Sequence, residues 1–200
     1  DGFLNRWFLD PLFGLGYPVD MLEAYGDLVP EISQRDLEII AAPTDFLGIN
    51  YYTRAVVKHH PDNFLHMESV TFGNERTFFD WEVYPDGLRE IIVRVGREYH
   101  PMAIYITENG ATYQDVLSGD GSIHDGARQS YLERHFAKLL QAIREGAPLK
   151  GYFLWSLLDN FEWAEGYEKR FGITYVDFAT QKRTLKQSGQ WHKAFLHDLK

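Results

Sequence analysis

The sequence predicts an α/β fold built from successive βα units. Three short, almost continuously apolar segments, residues 46–52, 102–107 and 151–155, have the composition of strands buried on both faces. Segments with apolar residues at helical spacing lie between these strands and after the last one. Because parallel strands need crossover connections, which are usually helices, this alternation favours a parallel sheet.

The first part of the chain is predicted to be mainly irregular and helical. Residues 1–30 are rich in Phe, Trp, Leu, Gly and Pro, which indicates short helical pieces and turns. We expect their apolar side chains to pack against the surface of another part of the protein. Residues 33–41 are predicted to form a short helix with Ser33 as its N-cap. After the strand at 46–52, residues 59–79 are polar and mixed, and we expect a long loop with room for a hairpin.

The second half of the chain continues the alternation of strands and helices. Leu88, Ile92 and Val95 recur at helical spacing after Pro85, which suits a first helical turn, so residues 85–100 are predicted to be a helix. The other predicted elements are a strand at 102–107, a long amphipathic helix at 125–145, a strand at 151–155, a short strand at 173–176 and a helix at 188–199.

Composition and charge exclude several classes of function. With 20 Lys and Arg against 29 Asp and Glu, the formal net charge is −9, which argues against non-specific binding of nucleic acid. No apolar stretch approaches the roughly 18 residues of a membrane span. The chain has no cysteine, so disulfides, thiolate metal sites and cysteine nucleophiles are excluded. The opening residues also lack the basic and apolar regions of a signal peptide, and we expect a cytoplasmic location.

Polar and aromatic side chains stand at the C-terminal end of each predicted strand. Asn50 and Tyr52 end the first strand, Glu108 follows the second, and Trp155 ends the third. In parallel βα folds these ends share one edge, where functional sites are built. Burial of a carboxylate at the end of an apolar strand costs free energy unless the carboxylate is paired with another group or has a function. Glu108 is therefore either a functional carboxylate or a residue that caps the next helix or points into water.

Aromatic residues make up 16% of the chain, which suggests a site that stacks on a flat ligand face. Glu162 and Trp163, with Trp155 upstream, fit such a site. A carboxylate accepts hydrogen bonds from neighbouring hydroxyls, and an indole covers the apolar face of a sugar ring. The alternative interpretation is a group of core aromatic residues beside a solvated glutamate.

The sequence predicts neither a metal site nor a cofactor site. His59, His60 and His66 have no carboxylate or cysteine at ligand spacing in the same regular element, so we predict that they are surface histidines. Gly14 and Gly16 lack the third glycine and the preceding strand of a phosphate-binding loop. No serine stands in the context of a nucleophile elbow.

Several stretches follow one another in an order that is typical of one enzyme family. The main ones are NRWFLDPLF (5–13), DFLGINYYT (45–53), WEVYPDGL (81–88), ITENG (106–110) and GYFLWSLLDNFEW (151–163). Together they resemble glycoside hydrolase family 1, the β-glucosidase and β-galactosidase group, over essentially the whole chain. The resemblance implies that residues 1–200 are the C-terminal portion of a single (β/α)8 (TIM) barrel domain, approximately strands six to eight with their helices. Such a barrel takes about 250 residues, so this chain is too short to close one.

The resemblance also implies roles for individual residues. Glu108 would be the nucleophile of a retaining glycosidase, and Tyr52 would donate a hydrogen bond that orients it. The expected substrate is a β-glucoside or a related small glycoside, with no metal or cofactor. The residues expected to bind it are Glu162 and Trp163 for the glycone hydroxyls, Trp155 for the sugar face, Asn50 and Phe171 beside the same site, and Trp81 on the aglycone side.

One expected catalytic residue has no counterpart in the sequence. A retaining glycosidase needs two carboxyl groups about 5–5.5 Å apart. In this family the acid/base Glu lies in an Asn-Glu-Pro motif, which does not occur here; Asn74-Glu75-Arg76 differs in its third residue and lies in a predicted loop. We therefore expect the chain to need the N-terminal half of the barrel, as a separate chain or a missing segment. The alternative is a sugar-binding or purely structural half-barrel with no activity alone.

Overall fold

The computed structural model describes residues 1–73 and 75–198. Asn74, in the predicted polar loop, Leu199, the predicted end of the last helix, and Lys200 lie outside the described residues.

Short helical segments precede the first strand, as predicted. A π-helical turn, Gly2–Arg6, continues into α1 (Trp7–Leu12), and α2 (Val19–Tyr25) leads into a 3-10 turn, Gly26–Leu28. Helix α3 (Gln34–Ile40) begins after Ser33, whose hydroxyl accepts a hydrogen bond from the Asp36 amide while the Asp36 carboxylate accepts one from the Ser33 amide. This reciprocal capping confirms Ser33 as the N-cap, because it satisfies two backbone donors at the helix start.

After α3, three strands alternate with helices, and two short antiparallel strand pairs are inserted between them or follow them. Strand β1 (Leu47–Asn50) is followed by an antiparallel hairpin of β2 (Val57–His59) and β3 (Met67–Ser69), which begins two residues before the segment 59–79 where the sequence left room for one. The later elements are α4 (Pro85–Glu98), β4 (Ile104–Asn109), α5 (Gly126–Arg144), β5 (Leu149–Leu154), a 3-10 turn at Trp163–Glu165, β6 (Thr174–Val176), β7 (Arg183–Leu185) and α6 (Gln187–Asp198).

Strands β1, β4 and β5 form one parallel sheet with β4 in the centre, which confirms the predicted βα arrangement. The bounds of β4 differ from the predicted ones at its C-terminal end. Strand β4 extends two residues beyond the predicted end, so Glu108 belongs to the strand rather than following it. The reason is pairing: Glu108 is matched with Asn50 on one side, and Asn109 is matched with Leu154 on the other.

The core lies between this sheet and helices α4 and α5. Leu88, Ile92 and Val95 of α4 are buried against Ile104 and Ile106 of β4, as the helical spacing predicts. Burial of a side chain of this size contributes about 1.5–3 kcal/mol relative to an exposed one. None of the helices in the described part of the chain has the length and apolar character required to cross a membrane.

The sheet has two open edges. Within the described ranges, β1 and β5 each pair along one side only, with β4. Phe46, beside β1, and Phe153, in β5, expose more than half of their surface. Unpaired strand edges and exposed aromatic rings are features of a parallel sheet that lacks neighbouring strands.

Candidate active site

The candidate site begins where β1 and β4 end side by side. The hydroxyl of Tyr52, two residues beyond β1, donates a hydrogen bond of 2.6 Å to Oε2 of Glu108. The backbone of the same segment is held by a bond of 2.9 Å from the Tyr51 amide to the Glu108 carbonyl. One carboxylate oxygen of Glu108 is thus fixed, which gives the other oxygen, Oε1, a defined direction.

Tyr52 is a neutral donor in this arrangement. Burial raises the pKa of the Tyr52 hydroxyl above its usual range, and its hydrogen bond to Glu108 raises it further. The Tyr52 carbonyl also accepts a hydrogen bond of 3.0 Å from the hydroxyl of Tyr131 on α5. Tyr52 therefore stays protonated over the ordinary pH range and is held from two sides.

Asn109 fixes the other side of β4 behind Glu108. It is fully buried, and its amide nitrogen donates to the Tyr51 carbonyl at 2.7 Å and to the Tyr131 hydroxyl at 3.0 Å. Its amide oxygen accepts a hydrogen bond of 2.9 Å from the hydroxyl of Tyr152. The Asn109 side chain is thereby held against Tyr131 of α5, whereas the Glu108 carboxylate is bound by Tyr52. The register of β4 shifts between Ile106 and Asn109, at this point of the strand. The sequence predicted that Asn109 lies with Glu108 at the C-terminal tip of this strand, but it did not indicate that Asn109 is buried.

Asn50 lies beside Glu108 in the sheet but is engaged elsewhere. Its register partner is Glu108, yet its side-chain oxygen accepts a hydrogen bond of 2.6 Å from the hydroxyl of Thr107. Its side chain is exposed at the end of β1. The structure therefore places Asn50 near the carboxylate without a direct contact between the two side chains.

An aromatic wall flanks the Tyr52–Glu108 pair. The Tyr52 ring lies 5.5 Å from the ring of Trp81 and 5.7 Å from that of Phe171, measured between centroids. Phe171 is 3% exposed, so it serves as a packed backing for this wall. Phe79 stacks on Trp81 at 4.6 Å with an interplanar angle of 16°. Phe79 was missed by sequence reasoning, although the run Phe78-Phe79 two residues before Trp81 was a signal for it.

Tight hydrogen bonding holds the segment that presents this wall. The hydroxyl of buried Thr77 accepts hydrogen bonds from the amides of Phe79 and Trp81, at 3.3 and 3.4 Å. The ammonium of Lys169 donates to the Phe78 carbonyl at 2.9 Å and lies 3.5 Å from the centre of the Phe78 ring. The stacked rings are therefore supported by both backbone and side-chain contacts.

The negative charge of Glu108 acts on a second carboxylate of the site, Glu162. Burial raises the pKa of Glu162, the side-chain hydrogen bond from Trp155 lowers it, and the negative charge of Glu108 raises it. Trp155 is half-buried, and its amide donates to the Asn109 carbonyl at 2.9 Å. Trp155 is thus held beside the end of β4, and Glu162 is near enough to Glu108 for the two charges to interact, whereas Trp163 is 85% exposed.

The predicted surface histidines occupy the β2–β3 hairpin region. The rings of His59 and His66 lie 6.3 Å apart, and Nε2 of His60 is 3.7 Å from a carboxylate oxygen of Glu68. In residues 1–73 and 75–198, no group of three or more His, Cys, Asp or Glu side chains is arranged to hold a metal ion.

Comparison with known proteins agrees with this architecture. The model of glycosyl hydrolase family 1 matches residues 1–199. Beta-glucosidase A of Thermotoga maritima is 48% identical over 185 residues, which are 92% of this chain and 42% of that protein. The 1,4-beta-D-glucan glucohydrolase of Thermotoga neapolitana is 46% identical over 185 residues, with the same coverage of 92% and 42%.

Solved structures show the same relation in three dimensions. The family 1 β-glucosidase from Thermotoga maritima superposes with a TM-score of 0.90 at 47% identity, over 94% of this chain and 42% of that one. A structure of the Thermotoga maritima enzyme in complex with deoxynojirimycin has the same TM-score, 0.90. The chain spans about 42% of the length of these relatives, and its fold is the corresponding part of their TIM barrel. On the family match, the sequence identity and the superposition together, this chain belongs to glycosyl hydrolase family 1.

Proposed function

We propose that residues 1–200 are the C-terminal part of a retaining β-glucosidase and that Glu108 is its nucleophile. The observation that carries this proposal is the hydrogen bond of 2.6 Å from the Tyr52 hydroxyl to Oε2 of Glu108. It orients a carboxylate at the end of a buried strand, which is the position where TIM barrels carry catalytic groups. The printed names of the relatives, β-glucosidase and glucan glucohydrolase, support a β-glucoside as the substrate.

The chemistry proceeds in two displacements. Oε1 of Glu108 attacks the anomeric carbon, the glycosidic C–O bond breaks, and the leaving oxygen takes a proton from a second carboxyl group. Water then attacks the same carbon and returns its proton to the second carboxylate, while the ester bond to Glu108 breaks. The sugar is released with its β configuration, and Glu108 is a carboxylate again.

We propose the following substrate contacts for the side chains of the candidate site. Glu162 and Trp163 hydrogen-bond the glycone hydroxyls, Trp155 covers the sugar face, and Asn50 contributes a polar group at the end of β1. The wall of Trp81 and Phe79, backed by Phe171, lines the aglycone side. Trp163 is exposed in this chain, and we propose that a bound sugar covers its indole.

The second carboxyl group comes from the N-terminal half of the barrel. The chain contains no Asn-Glu-Pro motif, and Glu75 of the nearest variant forms a bidentate ion pair with Arg134, at 2.7 and 2.5 Å. The open edges of β1 and β5 are where the remaining strands would pair. We also propose a cytoplasmic location, which the lack of cysteine supports.

A chimeric enzyme tests the proposal. The part of Thermotoga maritima β-glucosidase A that precedes the matched region is joined to residues 1–200, and the product is assayed with an aryl β-glucoside. An activated 2-deoxy-2-fluoroglucoside should trap the glycosyl ester on Glu108, as read by peptide mass spectrometry. Label on another residue, or a folded chimera without turnover, would contradict the proposal.

A further inference from the structure

A buried group of ion pairs joins the loops that follow β4 and β5 to the segment before α6. It contains three carboxylates and three cations, so its formal charges balance. Five of the six side chains are at most 1% exposed, and Arg170 is 18% exposed. We call these residues the ion-pair network: Asp115, Asp125, Arg128, Asp159, Arg170 and Lys186.

Lys186 is the bridge of the network. Its ammonium donates to Asp115 at 2.6 Å and to Asp159 at 2.8 Å. Asp115 lies in the loop after β4, Asp159 in the loop after β5, and Lys186 directly before α6. A single fully buried ammonium therefore joins the two loops that follow β4 and β5 to the start of the last helix.

Asp159 links the network to the segment that contains Phe171. Its Oδ1 also accepts from the Gly172 amide at 3.0 Å, and its Oδ2 accepts from Arg170 at 2.6 Å and from the Val176 amide at 3.3 Å. These donors lie on both sides of Phe171, the ring that backs Tyr52. Asp159 itself lies three residues before Glu162, so one carboxylate restrains both segments.

Arg128 connects the network to the strand that carries Glu108. Its guanidinium donates to the carbonyl of Ala111 at 3.1 Å and to the carbonyl of Arg170 at 3.0 Å, and it forms two bonds to Asp115, at 2.9 and 3.0 Å. It also donates to Asp125. Ala111 follows Glu108 by three residues, and Arg170 directly precedes Phe171. The two segments thus have a common anchor.

Stability alone is a weak reason for such a network. Burial of paired charges carries a desolvation penalty that often equals or exceeds their attraction, and well-packed apolar residues can be as stable. A buried network of directional hydrogen bonds favours one arrangement of the loops that carry it, and here all five N–H groups of Arg128 are used. Here those loops carry Glu162 and Phe171.

We propose that Lys186, Asp159 and Arg128 are positioning residues, which hold Glu162 and Phe171 in a fixed relation to the Tyr52–Glu108 pair. This inference rests on the proposed function, because the proposed function places Glu162 and Phe171 at the site that binds the glycone. The residues do not touch the substrate; they act through Glu162 and Phe171.

A double-mutant cycle in the chimera tests the proposal. Lys186→Met and Glu162→Gln are made singly and together, with the exposed Lys182→Met as the matched control. Active sites are counted by the 2-fluoroglucoside label, so that unfolded protein does not contribute. If Lys186 positions Glu162, the loss of kcat/KM caused by Glu162→Gln should be smaller by about tenfold in the Lys186→Met background. Additive losses, or an unchanged kcat/KM for Lys186→Met, would overturn the proposal.

A second measurement uses the 200-residue chain itself and does not depend on catalysis. Hydrogen exchange of residues 156–166 and 170–176 should become at least several-fold faster in Lys186→Met, whereas residues 88–95 of α4 should be unaffected. If Lys186→Met does not fold, Arg170→Met replaces it, because Arg170 is partly exposed at the edge of the network. Unchanged exchange in both loops would overturn the proposal. Failure of the proposed function is recognised separately, as an unsubstituted chimera that does not label Glu108.

Discussion

The hydroxyl of Tyr52 and Oε2 of Glu108 are 2.6 Å apart, although the two residues are separated by 56 positions in the chain. The contact exists because β1 and β4 are neighbours in a parallel sheet, so that both residues lie at the same end of it. A neutral phenol that donates to a carboxylate fixes the position of the oxygen it binds. Predictions about catalysis start from this pair.

Removal of the Tyr52 hydroxyl should slow the reaction without abolishing it. A hydrogen bond to a charged group contributes about 1.5–3 kcal/mol, which corresponds to roughly tenfold to a hundredfold in kcat/KM if it acts fully in the transition state. Tyr52→Phe in the chimera, assayed with an aryl β-glucoside, measures this loss. Tyr17→Phe, on the loop between α1 and α2, is the control. A Tyr52→Phe enzyme with normal kcat/KM would mean that the residue serves only in packing.

Replacement of the proposed nucleophile should remove nearly all turnover. Glu108→Gln keeps the size of the side chain and its place beside Tyr52, but an amide cannot form the glycosyl ester. We expect kcat to fall on the order of 10⁴-fold or more, as for other catalytic nucleophiles. Binding of a glucose-like inhibitor should change little, which calorimetry can measure. Glu165→Gln, an exposed substitution in the loop after β5, is the matched control; comparable activity in Glu108→Gln and this control would exclude Glu108 as the nucleophile.

Glu162 should discriminate among sugar hydroxyls. Hydroxyl contacts strengthen as the sugar ring distorts, so Glu162→Ala should lower kcat/KM more than it weakens ground-state binding. The loss should be large for a glucoside and smaller for the 4-deoxy or 6-deoxy analogue that lacks the contacted hydroxyl. Equal losses for all three substrates would indicate a structural role for Glu162.

Buried His135 should make folding stability depend on pH. Burial lowers its pKa to about 4 from the usual 6.5, and its ring stacks on Tyr131 with centroids 3.9 Å apart. Between these two values the unfolded chain binds a proton that the folded chain does not, so the free energy of unfolding falls as the pH falls. The limiting slope for one such group is about 1.4 kcal/mol per pH unit.

Urea unfolding of residues 1–200 between pH 4 and 7 measures this dependence. His135→Gln should reduce the slope in that window, because the substituted side chain does not titrate. His59→Gln, on the exposed β2 strand, is the control and should keep the original slope. Identical slopes in all three proteins would show that His135 does not contribute to the pH dependence.

Residues 1–200 alone should not hydrolyse glycosides. General acid assistance to the leaving group contributes about 10²–10⁴-fold, and the chain lacks the motif that would supply the acid. The purified chain, confirmed as one species by mass, is assayed with an aryl β-glucoside before and after addition of the N-terminal segment of the Thermotoga relative. Activity should appear only after the addition. Turnover by the chain alone that Glu108→Gln abolishes would contradict this expectation.

Local patterns were sufficient to predict much of the fold. The apolar runs predicted β1, β4 and β5, and the spacing of Leu88, Ile92 and Val95 predicted the buried face of α4. The position of Glu108 at the end of a buried strand marked it as a candidate before any geometry was known. These predictions hold because strand and helix periodicity depends on neighbours within a few residues.

The partners across the molecule were decided only by the tertiary structure. Lys186 and Asp115 are 71 positions apart, and nothing in their immediate sequence indicates a buried ion pair. The full burial of Asn109 and His135 and the stacking of Phe79 on Trp81 were likewise not predictable. The sequence determined which segments become strands and helices, and where a carboxylate would leave the sheet. Packing of those segments determined which distant charges and rings meet, because burial, and with it the energy of each contact, depends on the whole fold.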